Sequence, residues 1–313
     1  MKPYILLQNI LLDIEEGIKD NITAHILSEK YNYSEIHLRR LFSFAFNKTI
    51  SGYIRSRALS ESINDLLNTD KNVIDIALEY GFGYENSYSR SFRREFGMSP
   101  GNFRKSGQIV KIQPPLHLFD ENKVNDNILF GPEFVIVPQF HIIGKLHQIP
   151  FDISVKSVPD AAKLFWENER RCIKKVINPD VYIGFTHNIN HEEKYSEYLP
   201  SVQVRNLTDI PQGLSGATFN TSLCARFRYI GQHHYYDINA EIANKMYYAI
   251  GKYENDENSK YILSSDKVHF ERVDIKQYDG NYCQMEWFSP VKEKTIGTSA
   301  GRRFPSLLKC YVP

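Results

Sequence analysis

Cysteine is scarce in this chain, and long apolar runs are missing. The four cysteines among 313 residues, Cys172, Cys224, Cys283 and Cys310, are scattered with no CxxC pair. That usage suits a reducing cytoplasm and gives no zinc signature. No stretch approaches the roughly 20 apolar residues that a membrane span needs. The opening MKPYILLQNILLDIEEG is apolar but carries repeated acids and no small-residue cleavage site. It is therefore expected to be an amphipathic helix covering the domain behind it, not a signal peptide. Excess charge is missing too, since the formal net charge is +1. GxSxG, P-loop and dinucleotide fingerprints are all absent, so no catalytic residue and no cofactor is expected, and an enzyme is not the first expectation. His187 and His191 stand four apart at a strand end, and His233-His234 has no companion cysteine, so no metal is expected either. What remains is a cytoplasmic protein without a membrane partner, long enough for two domains with separate cores.

What is present is a pattern written twice. Residues 26–47 read ILSEKYNYSEIHLRRLFSFAFN and residues 76–97 read IALEYGFGYENSYSRSFRREFG. Shifted by 50, Ile26 falls on Ile76, Glu29 on Glu79, Arg40 on Arg90, Phe42 on Phe92 and Phe46 on Phe96. Each copy is expected to be a short helix, a tight turn and a longer helix, which is a tandem helix-turn-helix. In the first copy Ser34 is a natural N-cap, and Leu38, Leu41, Phe42 and Ala45 form the buried stripe. Ile36, Arg39, Arg40 and Ser43 then face outward. In the second copy Asn72 and Asp75 suggest a capping box, Gly81-Phe82-Gly83 the turn, and Gly97 the stop. Tyr88, Phe92 and Phe96 face inward, leaving Asn86, Ser89, Arg90 and Arg93 outside. Ser99 and Pro100 open a short closing helix.

Arginine on such a face matters because its planar fork matches the O6/N7 edge of guanine, and Ile36 can touch a thymine methyl. Residues 21–110 carry 12 Lys/Arg against 9 Asp/Glu, so any case for DNA rests on where the arginines sit, not on bulk charge. A single arginine pair of this kind is as well read as solvated surface charge; the repeat decides for DNA. Between the copies, residues 50–67 have helical period and form a rigid spacer. Two heads so joined reach successive major grooves of one asymmetric double-stranded site of about 20 base pairs, bound by a monomer.

Residues 20–105 resemble the DNA-binding domain of the AraC family of transcription regulators. The resemblance is carried by SEIHLRRLF (34–42), SGYIRSRAL (51–59), VIDIALEYGF (73–82) and YSRSFRREFGMSPGNFR (88–104). It implies DNA contacts at Ser34, Ile36, His37, Arg39, Arg40 and Ser43 in the first head. In the second head it implies Glu85, Asn86, Ser89, Arg90 and Arg93. Glu85 departs from the uncharged polar residue usual there, so the second head is expected to read more weakly. The family leans to activation, with RNA polymerase as a further partner.

Residues 107–132 mix Pro, Gly, Asn and charge and are expected to be a linker between a first domain of 1–106 and a second of 133–313. The second reads as α+β: strands over 134–150, 181–189, 201–207, 223–231, 267–274 and 282–291, helices over 159–176 and 237–252, and a polar loop at 251–261. The order is a duplicated β-α-β-β. This half resembles the GyrI-like effector-binding domain of Rob-type regulators, through PQFHIIG (138–144), YSEYLPSVQV (195–204), DIPQGL (209–214), ARFRYIG (225–231) and EWFSPVK (286–292). The resemblance implies a cleft for a small hydrophobic or cationic ligand, with a buried glutamate whose place is taken here by Gln203. Glu286 matches the family's other acidic position. The expected pocket is Tyr182, Phe185, Gln203, Phe227, Glu286 and Trp287; the alternative is that these aromatics are plain core. Two rival functions stay open: a GyrI-like hydrolase fused to a DNA reader, with Glu286 and a nearby tyrosine as acid/base pair, and a ligand-free protein-interaction module.

Overall fold

Among the described residues, seven α-helices precede the first strand. In the computed structural model, α1 (Pro3–Glu16), α2 (Ala24–Tyr31), α3 (Glu35–Phe46), α4 (Ile50–Asn68), α5 (Val73–Glu79), α6 (Glu85–Phe96) and α7 (Pro100–Ser106) belong to one compact unit, Met1–Glu121; a second unit spans Asn122–Pro313. The structure describes residues 1–106, 108–119, 122–124, 127–150, 157–190, 192–234, 248, 260–264, 268–277 and 282–294.

The repeat in the sequence is a repeat in the backbone. Helices α3 and α6 begin and end fifty residues apart, and each stops on a left-handed residue, Asn47 (φ 54°) and Gly97 (φ 80°). Their inner stripes are buried as the spacing requires: Leu38, Leu41, Phe42 and Ala45 in one, Tyr88, Phe92 and Phe96 in the other. Removing Phe42 or Phe92 from water contributes up to about 3 kcal/mol each. Their N-termini differ. Ser34 accepts a hydrogen bond from the His37 amide (3.2 Å), whereas Tyr84 at the matching place makes no side-chain cap. Asn72 likewise caps α5 without a side-chain bond, so the expected capping box is not formed. Between the heads, α4 has 19 residues and spans about 28 Å.

Helix α1 buries Leu6, Leu7, Ile10 and Ile14 completely and is pinned by charge as well. Glu15 accepts from Tyr53 Oη (2.7 Å) and from Arg57 Nη2 (2.6 Å), and Arg57 also bonds Glu61 (2.5 Å) and the Gln113 carbonyl (2.8 Å). On the other side Lys19 joins Asp65 (3.0 Å) and Glu79 (2.7 Å), and Asp65 takes the Tyr80 hydroxyl (2.9 Å). The segment expected to be a linker divides in two. Residues 113–116 run back along α4, where the Gln113 amide meets Ser60 (3.0 Å) and the Leu116 amide meets Tyr53 (2.9 Å). They supply the partners that Tyr53, Arg57 and Ser60 need once buried. The first strand begins at Lys123.

These strands are β1 (Lys123–Val124), β2 (Asn127–Val137), β3 (Phe140–Gly144), β4 (His147–Pro150), β5 (Val181–Asn190), β6 (Tyr195–Val204), β7 (Ser215–Phe219), β8 (Ser222–Gly231), β9 (Tyr261–Leu263), β10 (His269–Asp274) and β11 (Cys283–Glu293), with α8 (Ser157–Glu167) after β4. They form an antiparallel sheet in the order β1-β2-β8-β11-β10-β5-β6-β3-β7, with β4 on β6 and β9 on β11. The order is symmetric about the central β10–β5 pair: β11 then β8 on one side, β6 then β3 on the other. The strands thus stand in the arrangement expected of a duplicated β-α-β-β. The helix expected at 237–252 falls outside the described residues except for Tyr248; His191, Cys310 and most of the 251–261 loop lie outside them too.

Several boundaries differ from expectation; the strand expected over 201–207, for instance, runs from Tyr195 to Val204. The single strand expected over 134–150 is three, broken at Pro138 and again after Gly144, where any Cβ would overlap the Pro200 carbonyl on β6. Helix α8 stops at Glu167 instead of Val176, because Arg170 folds back over Trp166 (3.9 Å from its ring) and donates to the Trp166 carbonyl (2.7 Å). Strands β7 and β9 were not expected, being short and bounded by polar residues.

Alternation puts two cores on the two faces of the sheet. One holds Phe165, Trp166, Tyr182, Val202, Phe227, Tyr229, Val273, Met285 and Trp287, beneath α8. The other holds Ile142, Ile183, Phe185, Leu199, Cys224, Phe270 and Phe288.

Candidate nucleic-acid interface and buried carboxylate

On α3, Ile36 is 64% exposed. Arg39 and Arg40 are exposed beside it and Ser43 is half-buried. Arg39 is turned along its own helix, donating to Glu35 (2.7 Å) and reaching Ser51 (3.4 Å). Two of the expected contacts are occupied by the fold. The Ser34 hydroxyl caps α3, and His37 is buried at 5% exposure with its ring stacked on Tyr33 at 5.1 Å. On α6, Glu85, Asn86, Arg90 and Arg93 are exposed and Ser89 is half-buried. Glu85 sits in the first turn and Arg93 and Arg94 in the last, each at the end of the helix dipole that favours its charge. The acid is thus a good helix starter whatever it does to DNA.

In the second unit the expected pocket is not one surface. Tyr182, Phe227 and Trp287 belong to the core under α8. Phe185 belongs to the opposite core, Gln203 pairs with Ile142 on that side, and Glu286 alternates with Trp287 and so points away from it. Glu286 is held by Arg226 (3.4 Å) and Arg272 (3.6 Å), and Arg226 and Arg228 share Glu133, so its charge is spent on a partly buried ion network. Because side chains alternate at every residue, three of the six are separated from the other three by the thickness of the sheet.

The carboxylate on the α8 side is one that sequence reasoning missed. Glu271 of β10 is 2% exposed, and its Oε1 accepts from the Tyr198 hydroxyl at 2.7 Å. Tyr198 is in turn hydrogen-bonded to Tyr182, and Trp166 packs edge-on against Tyr182 at 6.1 Å. Glu271 lies opposite Gly184 of β5, and a Cβ at Gly184 would overlap both the carboxylate and the Tyr198 hydroxyl. Two residues back on the same strand, His269 stacks on Trp287 at 4.5 Å. Burial raises the Glu271 carboxyl to about 7, only partly opposed by the Tyr198 hydrogen bond. Burial also lowers His269 to about 3 and pushes Tyr182 and Tyr198 well above the usual phenol range. The arrangement is a proton-holding acid among aromatic rings, able to ionise near neutrality if positive charge arrives. Strand HFERVD offered one signal: period two sets His269, Glu271 and Val273 on one face. Nothing local says that this face is buried or that a glycine faces the acid.

Among the described residues no cluster of three or more His, Cys, Asp or Glu is placed to hold a metal, and no helix is long and apolar enough to cross a membrane. His187 lies against Glu197 (3.2 Å), and His233 against Tyr229 (3.0 Å). Cys172 is exposed, and Cys224 and Cys283 are buried.

Comparison with known proteins bears on the helical unit. A family model described as a helix-turn-helix domain matches residues 27–106. The chain is 35% identical over 108 residues to the probable transcription factor PqrA of Proteus vulgaris, covering 34% of this chain and 82% of that protein. It is 31% identical over 115 residues to the transcriptional regulator Rob of Salmonella typhimurium, covering 36% of this chain and 40% of Rob. The chain thus aligns with less than half the length of Rob. Among solved structures, SAV2435 bound to tetraphenylphosphonium is similar at 13% identity and TM-score 0.39, over 52% of this chain and 94% of that one.

Proposed function

Since the chain belongs to the AraC family of DNA-binding transcription regulators, we propose that it binds one asymmetric site as a monomer. In this reading α3 and α6 enter successive major grooves. Bases in the first box are read by Ile36 and Arg40, joined by Arg39 once it releases Glu35. Those in the second are read by Asn86, Ser89 and Arg90, with Arg93 on phosphate. The observation that carries it is two arginine-bearing helices of the same bounds, fifty residues apart, on a single helical spacer. Ser34 and His37 support the first head from within. Selection of the full chain against a random duplex pool tests it. The expected outcome is an asymmetric site of two boxes about 10 base pairs apart; a symmetric site, or no enrichment, defeats it. Arg40→Ala costs about 1–3 kcal/mol on that site and relaxes one base position. Arg90→Ala costs less, and equal losses would contradict the weaker second head.

The second unit is a GyrI-like sensor in this proposal, taking an aromatic or otherwise hydrophobic cation over Glu271, Tyr182, Tyr198, Trp166 and Trp287. What supports this is a carboxyl kept in an apolar core with one tyrosine as its hydrogen-bond partner. A cation selects the ionised form, so affinity for an aromatic quaternary ammonium rises about tenfold from pH 6 to pH 8. Binding indifferent to pH, and unchanged in Glu271→Gln, would remove Glu271 from the site. The ligand then shifts DNA affinity only as far as it binds two states of the chain differently, with activation through RNA polymerase as the proposed output. The Glu271–Tyr198 pair is also a minimal acid/base pair, which favours hydrolysis as the second reading. Recovery of the bound compound unchanged after prolonged incubation separates sensor from hydrolase.

A further inference from the structure

The second head contains a residue that breaks a local rule without structural return. Tyr84 occupies the N-cap of α6, the place where Ser34 caps α3. A tyrosine cannot cap as serine does, so the exchange weakens the start of the helix. The backbone does not ask for tyrosine either: φ −146° and ψ 144° are ordinary extended values open to serine. Nor does packing, since the ring is 79% exposed, more than any other aromatic side chain among the described residues. Its neighbour Gly83 has nothing within 4 Å of where a Cβ would stand, so the approach to the ring is open. A broken local rule with no compensation inside the fold marks a position selected for contact with something outside it.

The chemistry of that contact is narrowed by what surrounds the ring. Recognition helices of this class meet base edges with their N-terminal residues. Tyr84 stands immediately before Glu85 and Asn86 at that end of α6. Glu85 is exposed, so phosphates are disfavoured in its immediate vicinity and a neutral, apolar contact is favoured. The apolar feature of the major groove is the 5-methyl group of thymine. Resting on the DNA-reading function above, we propose that the Tyr84 ring packs on a thymine methyl in the box read by α6. Tyr84 thereby supplies base preference to a head whose first helical residue is an acid.

The test uses the full chain and the duplex obtained by selection, with each thymine of the second box replaced in turn by deoxyuridine, which lacks only the methyl. Wild type is expected to lose about fourfold in affinity at one position, the factor for one buried methyl-sized group. Tyr84→Ser binds thymine and uracil duplexes alike, more weakly than wild type on the former. Its thermal midpoint is at or above that of wild type, because serine restores the cap. A ring needed for folding would lower that midpoint instead, and this result would overturn the proposal. So would wild-type binding indifferent to every uracil, or a uracil penalty kept in Tyr84→Ser. An unenriched pool, with Arg40→Ala indistinguishable from wild type on any duplex, refutes the DNA-reading function itself and Tyr84 with it. A selected site that tolerates every uracil refutes Tyr84 alone.

Discussion

Replacing Arg57 with alanine is expected to cost the helical unit about 3 kcal/mol, the low end of the range for removing one partner of a buried ion pair. Arg57 has a side chain 3% exposed between Glu15 (24%) and Glu61 (49%), and it also satisfies the Gln113 carbonyl. Without it a partly buried carboxylate on α1 loses its counter-charge, and the returning segment at 113–116 loses an anchor. The loss falls on α1 and α4 together, so amide exchange in both helices accelerates by two orders of magnitude or more. Arg57→Lys recovers only part, since an ammonium cannot fork onto Glu15 and Gln113 at once. Pairing Arg57→Met with Glu15→Gln costs less than Arg57→Ala, because no charge is left behind. Exchange in α1 unchanged by Arg57→Ala would show that its apolar stripe alone holds it.

Glu271→Gln is expected to change how the stability of the second unit depends on pH. The carboxyl lies near 4.5 when the chain is unfolded and at about 7 when folded. Below 4.5 both states carry the proton and the residue makes no difference. As pH rises from 4.5 to 7 the unfolded state releases its proton while the folded state keeps it. Wild type is thereby destabilised progressively, by up to about 3 kcal/mol at pH 8. His269 acts in the opposite sense: folded near 3 and unfolded near 6.5, it costs stability as pH falls below 6.5. The two partly cancel in wild type, so the quantity to measure is the difference between Glu271→Gln and wild type across pH 4 to 8. That difference is expected to grow with pH in favour of glutamine and level off above 7. A flat difference would mean that Glu271 ionises freely in the folded protein. A stability gain that abolishes cation binding fits a site whose destabilising acid serves its ligand.

The tandem helix-turn-helix was legible in the sequence because its information is local. A helix with a buried stripe at i, i+3, i+4 and i+7 exposes the remaining residues by geometry. The spacing of Leu38, Leu41, Phe42 and Ala45 therefore already placed Ile36, Arg39 and Arg40 outside. His37 escaped that logic, since its burial comes from the preceding turn, where Tyr33 stacks on it. In the second half, composition and period two identified strands and their duplicated order, but both faces of the sheet are apolar, so alternation could not say which face carries a site. Tyr182 and Phe185 look equivalent in a strand and lie on opposite sides of it.

The sequence by itself therefore determined the two halves, the paired arginine-bearing helices, and the places of most of the strands in the second half. Each of these follows from contacts between residues a few positions apart. Tertiary structure alone decided that Glu271 is the buried carboxyl, while Glu286 is tied up by Arg226 and Arg272. That outcome depends on register between strands distant in sequence: β10 beside β5 sets Glu271 over a missing side chain at Gly184, and β6 brings Tyr198 to its oxygen. A carboxyl becomes a proton-holding acid only through the desolvation that such packing imposes.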